Sequence, residues 1–211
     1  MRAELNQGLI DFLKASPTPF HATRSMAQRL QAAGFRALDE REPWHTEPGG
    51  RYYVTRNDSS IIAFRLGHRA PLDGGLRLVG AHTDSPSLKL KPQPTASAFG
   101  WQQAAVEVYG GPLLNSWLDR DLGIAGRIVT LDGAAHLVRS GPIARIPQLA
   151  IHLDRTANEA LKLDRQAHTQ PILAVEPRGS LLDHLCGLTG IDADQVARGV
   201  PELEQIGRAH V

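Results

Sequence analysis

The chain is almost devoid of cysteine. Cys186 is the single one in 211 residues, which excludes an intrachain disulfide framework and suits a reducing compartment. No motif sets a histidine beside it, so it reads as a small apolar filler rather than a catalytic thiol. A bilayer-spanning apolar run is also missing, and the opening MRAELNQGLIDFLKAS is too polar and too often interrupted for a signal peptide. The expected location is cytoplasmic, with no membrane partner. Charge of one sign is not in excess either. The formal net charge is +1, so nothing in the bulk composition points to nucleic acid or an anionic surface. There is no internal repeat and no low-complexity tract. What is present is 42% apolar residues, enough for one or two ordinary globular domains.

Leu5, Leu9, Ile10 and Leu13 recur at helical spacing and predict an amphipathic helix over roughly 3–15, stopped by Ser16-Pro17-Thr18-Pro19. Met26, Leu30 and Ala33 predict a second helix from His21 to Ala33, closed at Gly34. Residues 37–50 read as a loop, with Trp44 and His45 at the surface or packing locally. Arg51–Arg56 and Ser60–Arg65 read as a hairpin turning at Asn57-Asp58. The run Leu76–Val79, broken by Gly80, then reads as a buried strand that delivers His82, Thr83, Asp84, Ser85 and Pro86 at its downstream end. Together these predict a mixed sheet with two helices on one face, the start of an α/β domain.

Past Lys91 the texture changes. Pro92, Pro94, Thr95, Ala96 and Ser97 read as a connection, followed by short strands at Ala104–Tyr109, Arg127–Leu131 and Ala135–Ser140, with turn signals at Asp132-Gly133 and Gly141-Pro142. A short helix at Thr156–Leu163, a strand at Ile172–Val175 and helices at Leu181–Leu188 and Ala193–Ala197 complete the reading.

The chemistry concentrates at His82-Thr83-Asp84. In extended backbone, side chains two apart share a face, so His82 and Asp84 project together while Thr83 turns aside. A neutral imidazole binds zinc through one nitrogen, and a neighbouring carboxylate can hold the ring. By itself the pattern is short and a zinc centre needs at least three protein ligands.

Four blocks carry more. They are Ser16-Pro-Thr-Pro-Phe-His-Ala22; Gly80-Ala-His-Thr-Asp-Ser-Pro86 with Leu88-Lys-Leu-Lys-Pro92; Val106-Glu-Val-Tyr-Gly-Gly111; and Trp117-Leu-Asp-Arg-Asp-Leu122 with Ala125-Gly-Arg127. In this order they resemble the amino-terminal half of an M18-family metalloaminopeptidase, the aspartyl aminopeptidase family. The resemblance implies the amino-terminal part of a zinc-peptidase α/β domain over 1–91, followed by an incomplete, smaller β-rich inserted dimerisation domain over 92–205. It implies removal of N-terminal, acidic residues from peptides by metal-assisted hydrolysis, with two zinc ions per complete subunit activating a shared water. Other divalent metals can replace zinc in such chemistry.

Carried over residue by residue, the resemblance makes His82 a zinc ligand and Asp84 the catalytic carboxylate that orients the site. It makes His152, within Ile151-His-Leu153, a substrate-binding residue that reaches into a neighbouring subunit. The implied assembly is a homo-oligomer, a dimer building up to a dodecamer. The glutamate base and remaining ligands have no counterpart here, so the chain is expected to be inactive alone, to bind zinc poorly, and to expose apolar surface normally covered by the missing half. Two other readings stay open: a different metal-dependent hydrolase, such as a deacylase, and a non-catalytic assembly or binding module.

The remaining candidates read as structural. His21 is a helix-start residue bonding locally, and Glu107, Asp119 and Asp121 satisfy backbone or Arg groups. Gly110-Gly111 lacks the strand-to-helix context of a phosphate loop, and His168 and His184 match no ligand spacing. Ile206-Gly-Arg-Ala-His-Val211 matches the peptide that a common sequencing-adapter stretch encodes, so 206–211 is expected to be a non-native tail and His210 is not counted as a ligand.

Overall fold

The computed structural model describes residues 2–197 and, as backbone, 202–208. The chain divides into two units, Met1–Ser85 and Pro86–Val211.

In the first unit, α1 (Arg2–Ala15) forms where the periodicity predicts, yet buries none of its residues. Its stripe of Leu5, Leu9, Ile10 and Leu13 faces solvent. α2 (Pro19–Ala32) begins earlier than expected, because a proline is tolerated in the first turn, where its missing N–H has no intrahelical acceptor. Thr18 caps it in extended backbone and its side chain accepts the His21 N–H. Phe20 and Ala22 are buried.

β1 (Arg36–Ala37), β2 (Arg51–Arg56) and β3 (Ser60–Arg65) form a sheet in that order. The β1–β2 pair is parallel and the β2–β3 pair antiparallel, with Arg56 opposite Ser60. Asn57 and Asp58 make the turn with φ of 51° and 53°, the left-handed region that Asn and Asp tolerate. Tyr52, Tyr53 and Val54 are buried. Trp44 packs as expected: its ring stacks on Phe64 at 6.1 Å and its indole N–H donates to the Asp39 carbonyl.

After a single helical turn, α3 (Pro71–Gly74), residues 75–86 are irregular. The predicted buried strand at Leu76–Val79 is therefore corrected. Leu78 is 88% exposed and Val79 100%. Among the described residues the run has no ladder partner, and an extended segment with no neighbour leaves its peptide groups to water rather than to a sheet.

The second unit begins with β4 (Ser87–Ala98), whose pairing with β5 (Trp101–Tyr109) shifts register between Leu90 and Thr95. Pro92 and Pro94 fall in that irregular stretch. The expected connection at 92–97 is thus part of a strand, and the prolines sit where the ladder lapses. Phe99 and Gly100, with φ of 54° and 80°, make a two-residue hairpin turn between paired Ala98 and Trp101.

A 3₁₀ turn at Leu114–Trp117 leads to β6 (Leu122–Val129) and β7 (Ala135–Ala144), which runs through Gly141-Pro142 with register shifts instead of turning there. β8 (Ile172–Ala174), α4 (Leu181–Thr189), a 3₁₀ turn at Ala193–Gln195 in place of the predicted helix, and β9 (Glu202–Arg208) complete the unit. The segment Thr156–Leu163 is not helical but a run of turns and irregular backbone. Asp154 draws the Thr156 N–H and hydroxyl onto its carboxylate, a local alternative to helix.

The strand order is β7-β6-β9-β4-β5-β8. Arg145 and Ile172 exchange backbone hydrogen bonds of 3.0 and 2.8 Å, so the two outer ends meet and the sheet closes on itself. Its core holds Leu88, Leu90, Val106, Leu122, Ile124 and Ile128, covered by Leu181, Leu185 and Cys186 of α4. Ser180 caps α4 and Gly190, at φ 71°, ends it in the left-handed conformation typical of such stops. Residues 206–208 of the expected tail lie in the β9 ladder, opposite Ile124, Gly123 and Leu122. His210 lies outside the described residues.

Candidate active site

His82 and Asp84 sit in the irregular segment of the first unit, and the structure brings them together. His82 Nδ1 lies 2.8 Å from the Asp84 carbonyl oxygen and 3.1 Å from its carboxylate Oδ1. A carbonyl oxygen can only accept, so Nδ1 carries the proton and donates it to both oxygens of Asp84. In a neutral ring that leaves the Nε2 lone pair open, and with His82 79% exposed it is available to an incoming metal. Thr83 turns the other way and its hydroxyl donates to the Ser59 carbonyl at 2.8 Å. This bond ties the segment to the β2–β3 turn. The alternation expected of H-x-D is therefore observed although the backbone around it is not a strand.

Among the described residues no group of three or more His, Cys, Asp or Glu side chains converges as a metal site. His21 takes the local role expected of it: buried at the start of α2, its Nδ1 and the Thr18 hydroxyl are 2.8 Å apart. Cys186 is buried, and that burial pushes its thiol up, which leaves it an inert apolar filler.

His152 belongs to the second unit. It lies in a turn closed by the Leu153 N–H to the Ala150 carbonyl, 2.8 Å. The imidazole is exposed, and so are Leu149, Ile151 and Leu153 around it. An apolar cluster held out to solvent is the reverse of the buried setting that an IHL run suggests.

Both ends of the segment carrying His152 are anchored, which the sequence did not reveal. Upstream, Asp119 adopts φ of 51°. Its N–H donates to the Ile146 carbonyl at 2.8 Å, its carbonyl accepts from Arg145 Nη2 at 2.9 Å, and its carboxylate accepts the Gln148 N–H at 3.3 Å. Downstream, Glu107 accepts from Gln166 at 2.7 Å and pairs with Lys91 at 3.0 Å. The Gln166 amide, then the Lys91 ammonium, hold the Glu107 carboxyl below the usual glutamate range. Gln170 both accepts from the Val106 N–H and donates to its carbonyl. The structural reading of Glu107 and Asp119 is what the contacts show. Asp121 stands only at the margin, 4.0 Å from Arg145.

The chain matches the family described as aminopeptidase I zinc metalloprotease (M18) over residues 12–184. It is 58% identical over 207 residues to the protein of Pseudomonas fluorescens (strain SBW25) named Probable M18 family aminopeptidase 2, covering 93% of this chain and 48% of that one. Among solved structures, it is similar to one of the Ape4 and Nbr1 complex, with TM-score 0.88 and 36% identity, covering 97% of this chain and 44% of that one. It is also similar to the S. cerevisiae mApe1 dodecamer, with TM-score 0.73 and 30% identity, covering 92% and 46%. The chain spans about half the length of the curated relatives it matches.

Proposed function

The chain belongs to the M18 family of aminopeptidase I zinc metalloproteases, and on that premise we propose that it is the amino-terminal half of a zinc-dependent aminopeptidase acting on N-terminal acidic residues. Alone, it is inactive. The observation that carries this reading is the state of His82: Nδ1 is engaged by Asp84 and Nε2 is left open. That is the arrangement of a metal-ligating histidine, whose second nitrogen is usually fixed by a carbonyl or carboxylate. The donor set fits zinc as one ligand of the several a zinc centre needs.

In the complete subunit His82 would hold one of two zinc ions through Nε2. Asp84 keeps the proton on Nδ1 and sets the ring plane, and the Thr83–Ser59 bond fixes the backbone between them. Zinc, when bound, supplies Lewis-acid polarisation of the scissile carbonyl and activation of water. His152 would be contributed to a neighbouring subunit as a substrate-binding residue, a role that its exposure among Leu149, Ile151 and Leu153 supports. This implies a homo-oligomer, a dimer building up to a dodecamer such as the one in which the S. cerevisiae relative was solved. We place its action in the cytoplasm, on peptides.

The test joins this chain through Leu203 to the carboxyl-terminal remainder of the Pseudomonas fluorescens relative, and assays aspartyl, leucyl and N-acyl substrates with and without chelator. Chelator-sensitive release from the aspartyl substrate is expected, falling to background in His82→Ala and by about 10–100-fold in Asp84→Asn. Preferential cleavage of the N-acyl substrate would assign a deacylase instead. Activity indifferent to His82→Ala would overturn the ligand assignment.

A further inference from the structure

Asp119 is held in backbone that an L-residue enters only at a cost, and such positions persist where the surroundings over-determine them. Here the surroundings are one short stretch of chain. The Asp119 N–H, carbonyl and carboxylate bond to Ile146, Arg145 and Gln148 respectively, and its Oδ1 lies 3.8 Å from Arg145 Nε. Arg145 is itself fixed by its two backbone bonds to Ile172. The left-handed conformation turns all three Asp119 groups toward the same stretch. Next after Gln148 comes the exposed turn that carries His152.

We propose that Asp119 is a positioning residue for substrate recognition: by clamping residues 145–148 to the closed sheet, it sets where His152 is presented. The inference rests on the substrate-facing role of His152 argued above and extends it to a residue far away in sequence. The carboxylate is the part that matters, since of the three groups it is the one that reaches the Gln148 N–H at the foot of the turn.

Two measurements test this. In the chain itself, amide hydrogen exchange is compared between the parent, Asp119→Asn and Asp119→Gly. Glycine keeps the left-handed backbone without strain and removes the accepting side chain, whereas asparagine keeps an Oδ1 able to accept the Gln148 N–H. Asp119→Gly should speed exchange at Gln148 and Leu153 while leaving Leu122 and Val138 as slow as in the parent, and Asp119→Asn should stay close to the parent. Unchanged exchange at Gln148 and Leu153 in Asp119→Gly overturns the proposal, and so does acceleration that spreads equally through the sheet.

In the joined enzyme, Asp119→Gly, His152→Ala and the double variant form a cycle. The expected result is that Asp119→Gly raises KM in the same split against kcat as His152→Ala, by about 10–100-fold in kcat/KM, and that the double variant is no worse than His152→Ala alone. Additive losses, or an unchanged Asp119→Gly beside an impaired His152→Ala, overturn the positioning role. Unchanged kinetics for His152→Ala sink the substrate-facing reading instead.

Discussion

Single carboxylates in this protein are held by nearby donors rather than by burial, and their titration is the most direct check on the local geometry. Arg41 donates from its side chain and its backbone N–H to Asp39, bringing that carboxyl down to about 2. Because the folded value is depressed, the contact stabilises the fold above the ordinary aspartate range and is lost as pH falls toward 2. A carboxyl-carbon NMR titration should therefore find Asp39 still ionised at pH 3, and Arg41→Ala should return it toward 3.8. Glu107 follows the same sign, its contribution present above the ordinary glutamate range and fading as acid protonates it. Deep packing behaves differently. Leu185 is fully buried beneath the sheet, so Leu185→Ala should cost about 2–5 kcal/mol in urea unfolding.

At the scale of elements, what the sequence made readable was what neighbours in sequence decide. α1, α2 and the β2–β3 hairpin stand where periodicity and turn residues place them. The pairing of His82 with Asp84 was likewise readable, because it needs only alternation over three residues. Elements decided by distant partners were not. Leu76–Val79 has the composition of a strand but, among the described residues, no edge to join. Pro92 and Pro94, which have no backbone N–H to donate, lie inside β4 because the pairing lapses between Leu90 and Thr95 and calls for no donor there. The clamp at Asp119 depends on Gln148, well outside any local window.

The exposed run gives a sharp test. Leu78→Lys and Val79→Lys should change stability by no more than about 0.5 kcal/mol and raise solubility. A loss of several kcal/mol on chemical unfolding would restore the buried strand.

For the molecule as a whole, the described residues contain an exposed imidazole, His82, oriented by Asp84, and no convergent set of ligands. Metal analysis after dialysis against micromolar zinc should therefore find well under one ion per chain, and the small amount retained should disappear in His82→Ala. Tight, one-to-one retention would contradict the proposed function as stated. No helix among the described residues is long and apolar enough to cross a membrane. The uncovered leucines of α1 and the run at 76–79 are instead the surfaces on which self-association of the isolated chain is to be expected.

The order of the strands carries one more consequence. β4–β5 and β6–β7 are each hairpins of adjacent segments, but β9, made by the last described residues, lies between β4 and β6. Whichever residues fill that place, the two hairpins each keep a bare inner edge until a strand arrives between them. Only then can the layer knit together. Two sticky ribbons wait in the meantime, so chaperone binding to a folding chain should persist until that central place is filled.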